Sequence, residues 1–188
     1  MSRILVDQIR SNSASTDAIT LDGSGNLTIP GNATCSGTAT GFGIGGKILQ
    51  VVTGTTTTTV ATSSTSHTDT GLSCSITTTT DSSKVFITVS QPIYCRNPGG
   101  TTYSRAGIYY DLVRDSTVIQ NGEQNILLWG ATYSPYIVTG QMAAIVHLDT
   151  PGNAGTYTYK TTGANVEGNW KAQDNNSPAH MVLMEIGA

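Results

Sequence analysis

Hydrophobic and polar positions alternate along most of this chain, and glycine, asparagine and proline interrupt the alternation at short intervals. In residues 84–94, one face of an extended chain would carry Val85, Ile87 and Val89, and the other face would be mixed. A period of two predicts strands that bury one face, and the turn residues between the runs predict tight connections. Helical periodicity is almost absent. The pattern therefore predicts an all-β protein.

Ten strands are predicted from Lys47 onward, separated by turns such as Asn121-Gly122. The predicted strands are residues 48–52, 57–62, 72–77, 84–94, 105–114, 117–120, 125–129, 136–148, 156–161 and 180–186. Residues 142–146 are apolar at consecutive positions, so we expect this strand to lie centrally in its sheet. Ten short strands without a convincing helix predict a jelly-roll-like antiparallel β-sandwich.

Residues 1–46 carry too few apolar side chains to form a core alone, although they keep the alternating pattern between glycines. Ile19 and Leu21 lie two positions apart, as do Leu27 and Ile29, so each pair faces one side of an extended chain. Three copies wound together would collect these side chains around an axis and leave the polar ones in water. The segment is therefore expected to be the intertwined stalk of a homotrimer.

Two further features set the expected domain organisation. Near the start of the sequence, Ile4 and Val6 form a short amphipathic patch, which we interpret as an anchor. Four glycines between positions 41 and 46 interrupt the pattern and mark a boundary. We predict an attachment segment and stalk over residues 1–46 and a β-sandwich knob over residues 47–188.

Composition excludes several classes of function. Only 11% of the residues are charged and the net charge is −3, so no basic surface is available to bind a nucleic acid. The sequence contains no run of about eighteen apolar residues, so it predicts no membrane span. Its first ten residues also lack the apolar region of a signal peptide. We therefore expect synthesis in a cytoplasm. Three cysteines, Cys35, Cys74 and Cys95, lack metal-binding spacing and are predicted to be buried thiols.

Two His-x-Asp pairs are the most suggestive titratable groups. His67 and Asp69, like His147 and Asp149, would each place an imidazole and a carboxylate on one face of a strand. Nothing in the spacing brings the two pairs together, and isolated polar residues are the simpler interpretation. No serine or cysteine nucleophile has a recognisable histidine partner. We accordingly predict no catalytic residue, no metal site and no cofactor.

Two aromatic segments are candidates for binding. One contains Trp129, Tyr133 and Tyr136, and the other places Asn169 and Trp170 among amides and acids. Aromatic rings flanked by amides are typical of sugar-binding surfaces, because rings stack on C–H faces and hydroxyls need polar partners. The alternative is that the same aromatics pack between subunits of an oligomer, where Tyr and Trp are also enriched.

Four stretches carry a resemblance to a known group of proteins. They are ILVDQIRSNSASTDAITLDGSGNLTIPGN, GGKILQVV, TDTGLSCSITTTTDSSKVFITV and MVLMEIGA. In them the chain resembles virion structural proteins of tailed bacteriophages, of the tail-fibre-like type found in marine and cyanobacterial phages. The resemblance implies a homotrimeric appendage on the particle surface, attached to other virion proteins through its N-terminal segment. It supplies no catalytic residue.

The expected function is therefore that of a non-enzymatic phage virion protein, made in the bacterial cytoplasm, whose knob serves host attachment and can meet a host surface glycan. One alternative is a capsid decoration or cement protein that stabilises the phage head. Another is a small glycan depolymerase, which would need two facing carboxylates, such as Asp111 and Asp115.

Overall fold

The computed structural model describes residues 8–9, 19–24, 26–29, 47–97, 105–122, 126–129 and 137–187. The chain divides into two compact units, Met1–Gly43 and Ile44–Ala188. Over the described residues, strands make up nearly all of the regular structure, one short turn is a 3-10 helix, and no α-helix occurs. The all-β prediction is confirmed.

The first unit contains β1 (Gln8–Ile9), β2 (Ile19–Leu21) and β3 (Leu27–Thr28), which form an antiparallel sheet in that order. Asp22 closes the turn between β2 and β3. Its Oδ1 accepts hydrogen bonds from the backbone N–H groups of Ser24 at 2.9 Å and Asn26 at 2.8 Å. This carboxylate stands in for backbone acceptors, as aspartate does in Asx turns, and so fixes the hairpin.

The strands of the second unit follow one another through short connections. They are β4 (Lys47–Thr56), β5 (Val60–Thr62), β6 (Thr68–Thr78), β7 (Lys84–Asn97), β8 (Arg105–Arg114), β9 (Thr117–Gln120), β10 (Ile126–Trp129), β11 (Ile137–Asp149), β12 (Gly155–Glu167), β13 (Asn169–Ala172) and β14 (Ala179–Gly187). A 3-10 turn, Asp174–Asn176, separates β13 from β14. The sequence predicted β8 and β9 at their observed bounds, ended β12 too early and missed β13.

These strands form two antiparallel sheets, one of six strands and one of five. Each sheet has four positions across its width, because some positions are shared by two short strands. In the six-stranded sheet, β7 pairs with β11 along one edge and with β14 and then β13 along the other. Outside these, β4 pairs with β14 and β5 with β13. In the five-stranded sheet, β12 pairs with β6 and β8, and β8 pairs on its other edge with β9 and β10. The unit is therefore a β-sandwich.

The hydrophobic core lies between the two sheets. From β7, Val85, Ile87 and Val89 point into it, as the alternation predicts. The largest fully buried side chains also come from both sheets and include Trp170, Tyr110, Tyr159, Leu72, Ile76, Ile93, Ile108, Leu112, Met181 and Leu183. Cys74 and Cys95 are buried free thiols, as predicted, and burial raises the pKa of the Cys95 thiol to about 12.

The strand that contains residues 142–146 does not lie centrally. Among the described strands, β11 pairs only with β7 and is an edge of the six-stranded sheet. Ala143 and Ile145 face the core, whereas Met142 and Val146 point outward and are exposed. The expectation of a central strand is wrong, because an apolar outer face does not require burial within one chain.

One of the crossings between the two sheets, from β12 to β13, occurs at Gly168. This residue separates β12 of the five-stranded sheet from β13 of the six-stranded sheet and has a positive φ of 82°. A Cβ here would press on the backbone of Arg96 and lie 2.8 Å from the Cα atom of Asn97. Glycine is therefore required by both conformation and space.

Candidate functional site

Trp170 belongs to the core and not to a ligand-binding surface. Its backbone pairs with Thr62 of β5 and Cys95 of β7, and its side chain is 0% exposed. The indole packs so closely on β12 that a Cβ at Gly163 would lie 3.2 Å from Trp170 Cζ2. A ring without an exposed face cannot stack on a sugar, so the prediction of a binding role for Trp170 is wrong. The polar neighbours in the sequence gave the false signal.

The other predicted binding residues fall in different places. Asn169 is half-buried beside Trp170, and its Oδ1 lies inside without a hydrogen-bond partner among the described residues. Trp129 ends β10, where its backbone pairs with Arg105. Tyr133 and Tyr136 lie outside the described residues, so the aromatic surface proposed around them stays a prediction.

Three of the predicted oligomerisation residues, Ile19, Leu21 and Leu27, share one face of the small sheet of the first unit with Ile9. Ile9 pairs directly with Ile19, and Leu21 with Leu27, so all four side chains point to the same side. Leu21 is 45% and Leu27 is 51% exposed. This sheet therefore presents an apolar face that its own described residues leave open.

The remaining members of that predicted set give less. Ile29 follows β3 and is half-buried. Ile4 and Val6 lie outside the described residues, so the anchor role assigned to them stays a prediction.

The first His-x-Asp pair does not act as a pair. His67 Nδ1 instead lies 3.2 Å from Asp111 Oδ2, while Asp69 faces Lys160 at 2.9 Å. Asp111 is buried and accepts a hydrogen bond from the backbone N–H of Gly122 at 3.0 Å. Over the part of the chain that the structure describes, no group of three or more His, Cys, Asp or Glu residues could hold a metal ion.

In the second His-x-Asp pair, the carboxylate of Asp149 is engaged by residues of other strands. Asp149 is buried and accepts hydrogen bonds from Arg114 Nη1 at 2.6 Å and the hydroxyl of Tyr159 at 2.7 Å. Burial, reinforced by Asp149, raises the pKa of Tyr159 and keeps its hydroxyl protonated. These three side chains join β8, β11 and β12, so the group has a structural role in the sandwich.

A third buried acid, Glu185, has every carboxylate oxygen occupied. Oε1 accepts from the backbone N–H of Thr79 at 2.6 Å, its hydroxyl at 2.8 Å and the Ser83 hydroxyl at 2.7 Å. Oε2 accepts from Gln50 Nε2 at 2.7 Å. Burial alone would raise the pKa, but these donors outweigh it and lower the pKa of Glu185 to about 2. The carboxylate thereby ties the β6–β7 turn to β14.

A polar network in the middle of the core escaped the sequence analysis. Gln91 Oε1 accepts from the hydroxyls of Tyr110 and Thr161, the latter at 2.8 Å, and Gln91 Nε2 donates to Thr70 Oγ1 at 2.9 Å. All four residues are buried and come from four different strands. Since their sequence separations follow no motif, only the folded structure shows that they meet. They link the two sheets and offer no site to a ligand.

A cleft of about 310 Å³ opens where β7, β11 and the 3-10 turn meet. Its lining includes Tyr94, Gln141, Met142, Asp174, Asn175 and Ser177. The Nζ atom of Lys171 lies 5.5 Å from the centre of the Tyr94 ring and 3.1 Å from Asp174 Oδ1, so it fixes both groups. An aromatic ring bordered by amide, hydroxyl and carboxylate groups suits an uncharged, hydroxylated ligand.

Comparisons with known proteins do not identify the chain. No protein-family model matches it, and no curated protein matches it. Within the described residues, no helix is long and apolar enough to cross a membrane.

Proposed function

We propose that this chain is a non-enzymatic structural protein of a phage virion. It is a homotrimeric, fibre-like surface appendage, attached to other virion proteins through its N-terminal segment and displaying the β-sandwich as a knob for host attachment. The observation that carries the proposal is the exposed hydrophobic side of the small N-terminal sheet, where Leu21 and Leu27 are open to solvent in a single chain. Association of three copies would bury these side chains, and the burial would stabilise the assembly by about 25 cal/mol for each Å² of apolar surface removed from water.

The strand order supports the finer proposal that the knob is a jelly roll. Across one sheet the order is β4/β5, β13/β14, β7, β11, and across the other it is β6, β12, β8, β9/β10. The second unit thus alternates between its two sheets in the manner of two nested Greek keys, and its first strand, β4, pairs with its last strand, β14. Such domains occur widely in viral particles, which agrees with a virion role.

The disposition of the acids favours a structural protein over a glycan depolymerase. Each of the three buried acids, Asp111, Asp149 and Glu185, is bound by groups of the protein itself. Asp115, the suggested partner of Asp111, accepts a hydrogen bond from the N–H of Thr158 at 2.9 Å in a turn. A glycosidase needs two carboxylates facing one another across a groove, and these two are engaged separately.

The cleft beside Tyr94 replaces Trp170 as the proposed contact with a host glycan. If the protein is a host-attachment fibre, Tyr94→Ala should reduce adsorption while leaving the mass of the assembly unchanged. If it is a capsid decoration protein, the same change should leave adsorption intact, and the protein should be present in many copies on each particle.

Two measurements test the proposal as a whole. Sedimentation equilibrium of the full chain should give three times the chain mass, and antibodies against residues 47–188 should label intact particles. Labelling of the tail supports the fibre, and labelling of the head supports the decoration protein. A monomeric chain, or particles without label, would overturn the proposal.

A further inference from the structure

We propose that the outer face of the six-stranded sheet binds another copy of this chain. This inference rests on the proposed self-association but places a second contact in the knob, independent of the N-terminal sheet. Residues directly opposite one another in antiparallel strands point to the same side, so the pairing register defines the face.

The register places twelve outward residues in three rows that cross β11, β7, β14 and β4. The first row is Leu148, Phe86, Met184 and Val51; the second is Val146, Thr88, Val182 and Thr53; the third is Ala144, Ser90, His180 and Thr55. We call this set the apolar face. Its first row is hydrophobic across the whole width of the sheet.

The large side chains of the apolar face are exposed on the edge strands β11 and β4 and half-buried on β7 and β14 between them. Val146 is 67% exposed, and Leu148 and Val51 are also among the exposed hydrophobic residues. One further exposed side chain, Ile48 of β4, extends the surface beyond its first row. Exposed apolar residues that stand alone are ordinary on a protein, but a row of apolar side chains that crosses four strands and is exposed at both edges is not.

The extent of the face fits an association surface. Four strands at about 4.8 Å spacing and three rows at about 6.7 Å spacing cover about 400 Å² of flat sheet. Seven of the twelve residues are apolar, so the apolar part of this area is about half of it, concentrated in the first row, and the flanking residue Ile48 enlarges it. A standard interface buries about 800 Å² on each partner, so the face can supply much of one.

The chemistry of the face selects the partner. None of its twelve residues is Asp, Glu, Lys or Arg, and His180 is its one titratable group; a single charge, Lys84, lies in the row next to it, beside Ile186 and Ile48. A partner that brought charges to this surface would have to desolvate them without compensation. A nucleic acid or an anionic membrane therefore gains little here, whereas the same face of a neighbouring copy, set around the axis of the proposed trimer, brings no charge of its own.

The test uses the full chain and charged substitutions at exposed positions. Val146→Lys together with Leu148→Lys should raise the protein concentration needed for half-assembly at least tenfold, measured by analytical ultracentrifugation. Val118→Lys is the matched control, since Val118 is 49% exposed but lies on β9 of the other sheet. The control should assemble like the wild type. Should the double variant fail to fold, Val51→Lys on the opposite edge strand takes its place with the same expectation.

The outcomes separate this inference from the proposed function. If the wild type assembles and the face variants assemble equally well, the inference is overturned while a trimer held by its N-terminal sheet stands. If the face variants lose thermal stability without a change in assembly, a segment of the same chain covers the face, and the inference is again overturned. A monomeric wild type overturns both proposals.

Discussion

The two sheets of the sandwich share one core but have outer faces of opposite character. On the five-stranded sheet, outward hydroxyls pair across the strands: Ser75 with Thr158 and Thr77 with Thr156, each at 2.8 Å. On the six-stranded sheet, the corresponding positions form the apolar face, with hydrophobic side chains from four strands in one row. Both sheets therefore follow the same strand alternation inward and differ only in what they present outward.

This difference shows how the outside of a sheet records its surroundings. Hydroxyl pairs suit a face in water, because they satisfy one another and remain accessible to solvent. An uncharged apolar face has no such advantage in water, which is why we assign it to contact with another copy.

The largest effect is expected for Trp170, which lies in the core that the two sheets share. Trp170→Ala removes a fully buried indole and leaves a cavity, so the free energy of unfolding should fall by about 3 to 5 kcal/mol. Urea denaturation followed by circular dichroism measures the change. Tyr94→Ala, in the surface cleft, is the aromatic control and should cost far less. A loss below about 1 kcal/mol at Trp170 would contradict its placement in the core.

A smaller effect is expected for Glu185, whose side chain lies on the inner side of the six-stranded sheet. Its folded-state pKa of about 2 lies below the ordinary value of 4.5, so its ionised form stabilises the fold above pH 4.5. That stabilisation should disappear as the pH falls from 4.5 to 2. Glu185→Gln keeps the shape of the side chain but removes the charge from four hydrogen bonds and should cost about 2 kcal/mol at pH 7.

The pH dependence distinguishes this role from simple packing. The difference in unfolding free energy between wild type and Glu185→Gln should shrink as the pH is lowered through 4.5 towards 2, because the wild-type carboxylate then becomes neutral too. Urea unfolding at three pH values in this interval measures it. A difference that stayed constant with pH would show that ionisation of Glu185 contributes nothing.

Much of the strand content could be predicted from the sequence, because alternation depends only on which face is buried. In β7, Val85, Ile87 and Val89 carry the signal unambiguously, and β8 and β9 are delimited by clear turn residues. The polar network around Gln91 could not be predicted, since its members come from different strands and only the register brings them together.

The errors share one physical cause, which is that composition does not reveal what covers a side chain. Trp170 stands among amides and acids, yet the short strand β13 carries it into the core. Residues 142–146 are apolar on both faces, which a single sequence cannot distinguish from central burial, yet β11 is an edge strand. The same holds for contacts between charged groups, since His67 lies two positions from Asp69 in the sequence, whereas folding places it beside Asp111.

The smallest effect is expected on the polar outer face of the five-stranded sheet, at the ion pair between Lys160 of β12 and Asp69 of β6. Lys160 Nζ lies 2.9 and 3.0 Å from the two carboxylate oxygens, but both side chains remain accessible to water. Solvent and salt screen such a pair, so a double-mutant cycle with Lys160→Met and Asp69→Asn should give a coupling of about 0.3 kcal/mol at low salt. The coupling should fall towards zero in about 1 M salt. A coupling above about 1 kcal/mol that survived salt would mean that this face is shielded from water, and the contrast between the two outer faces would then fail.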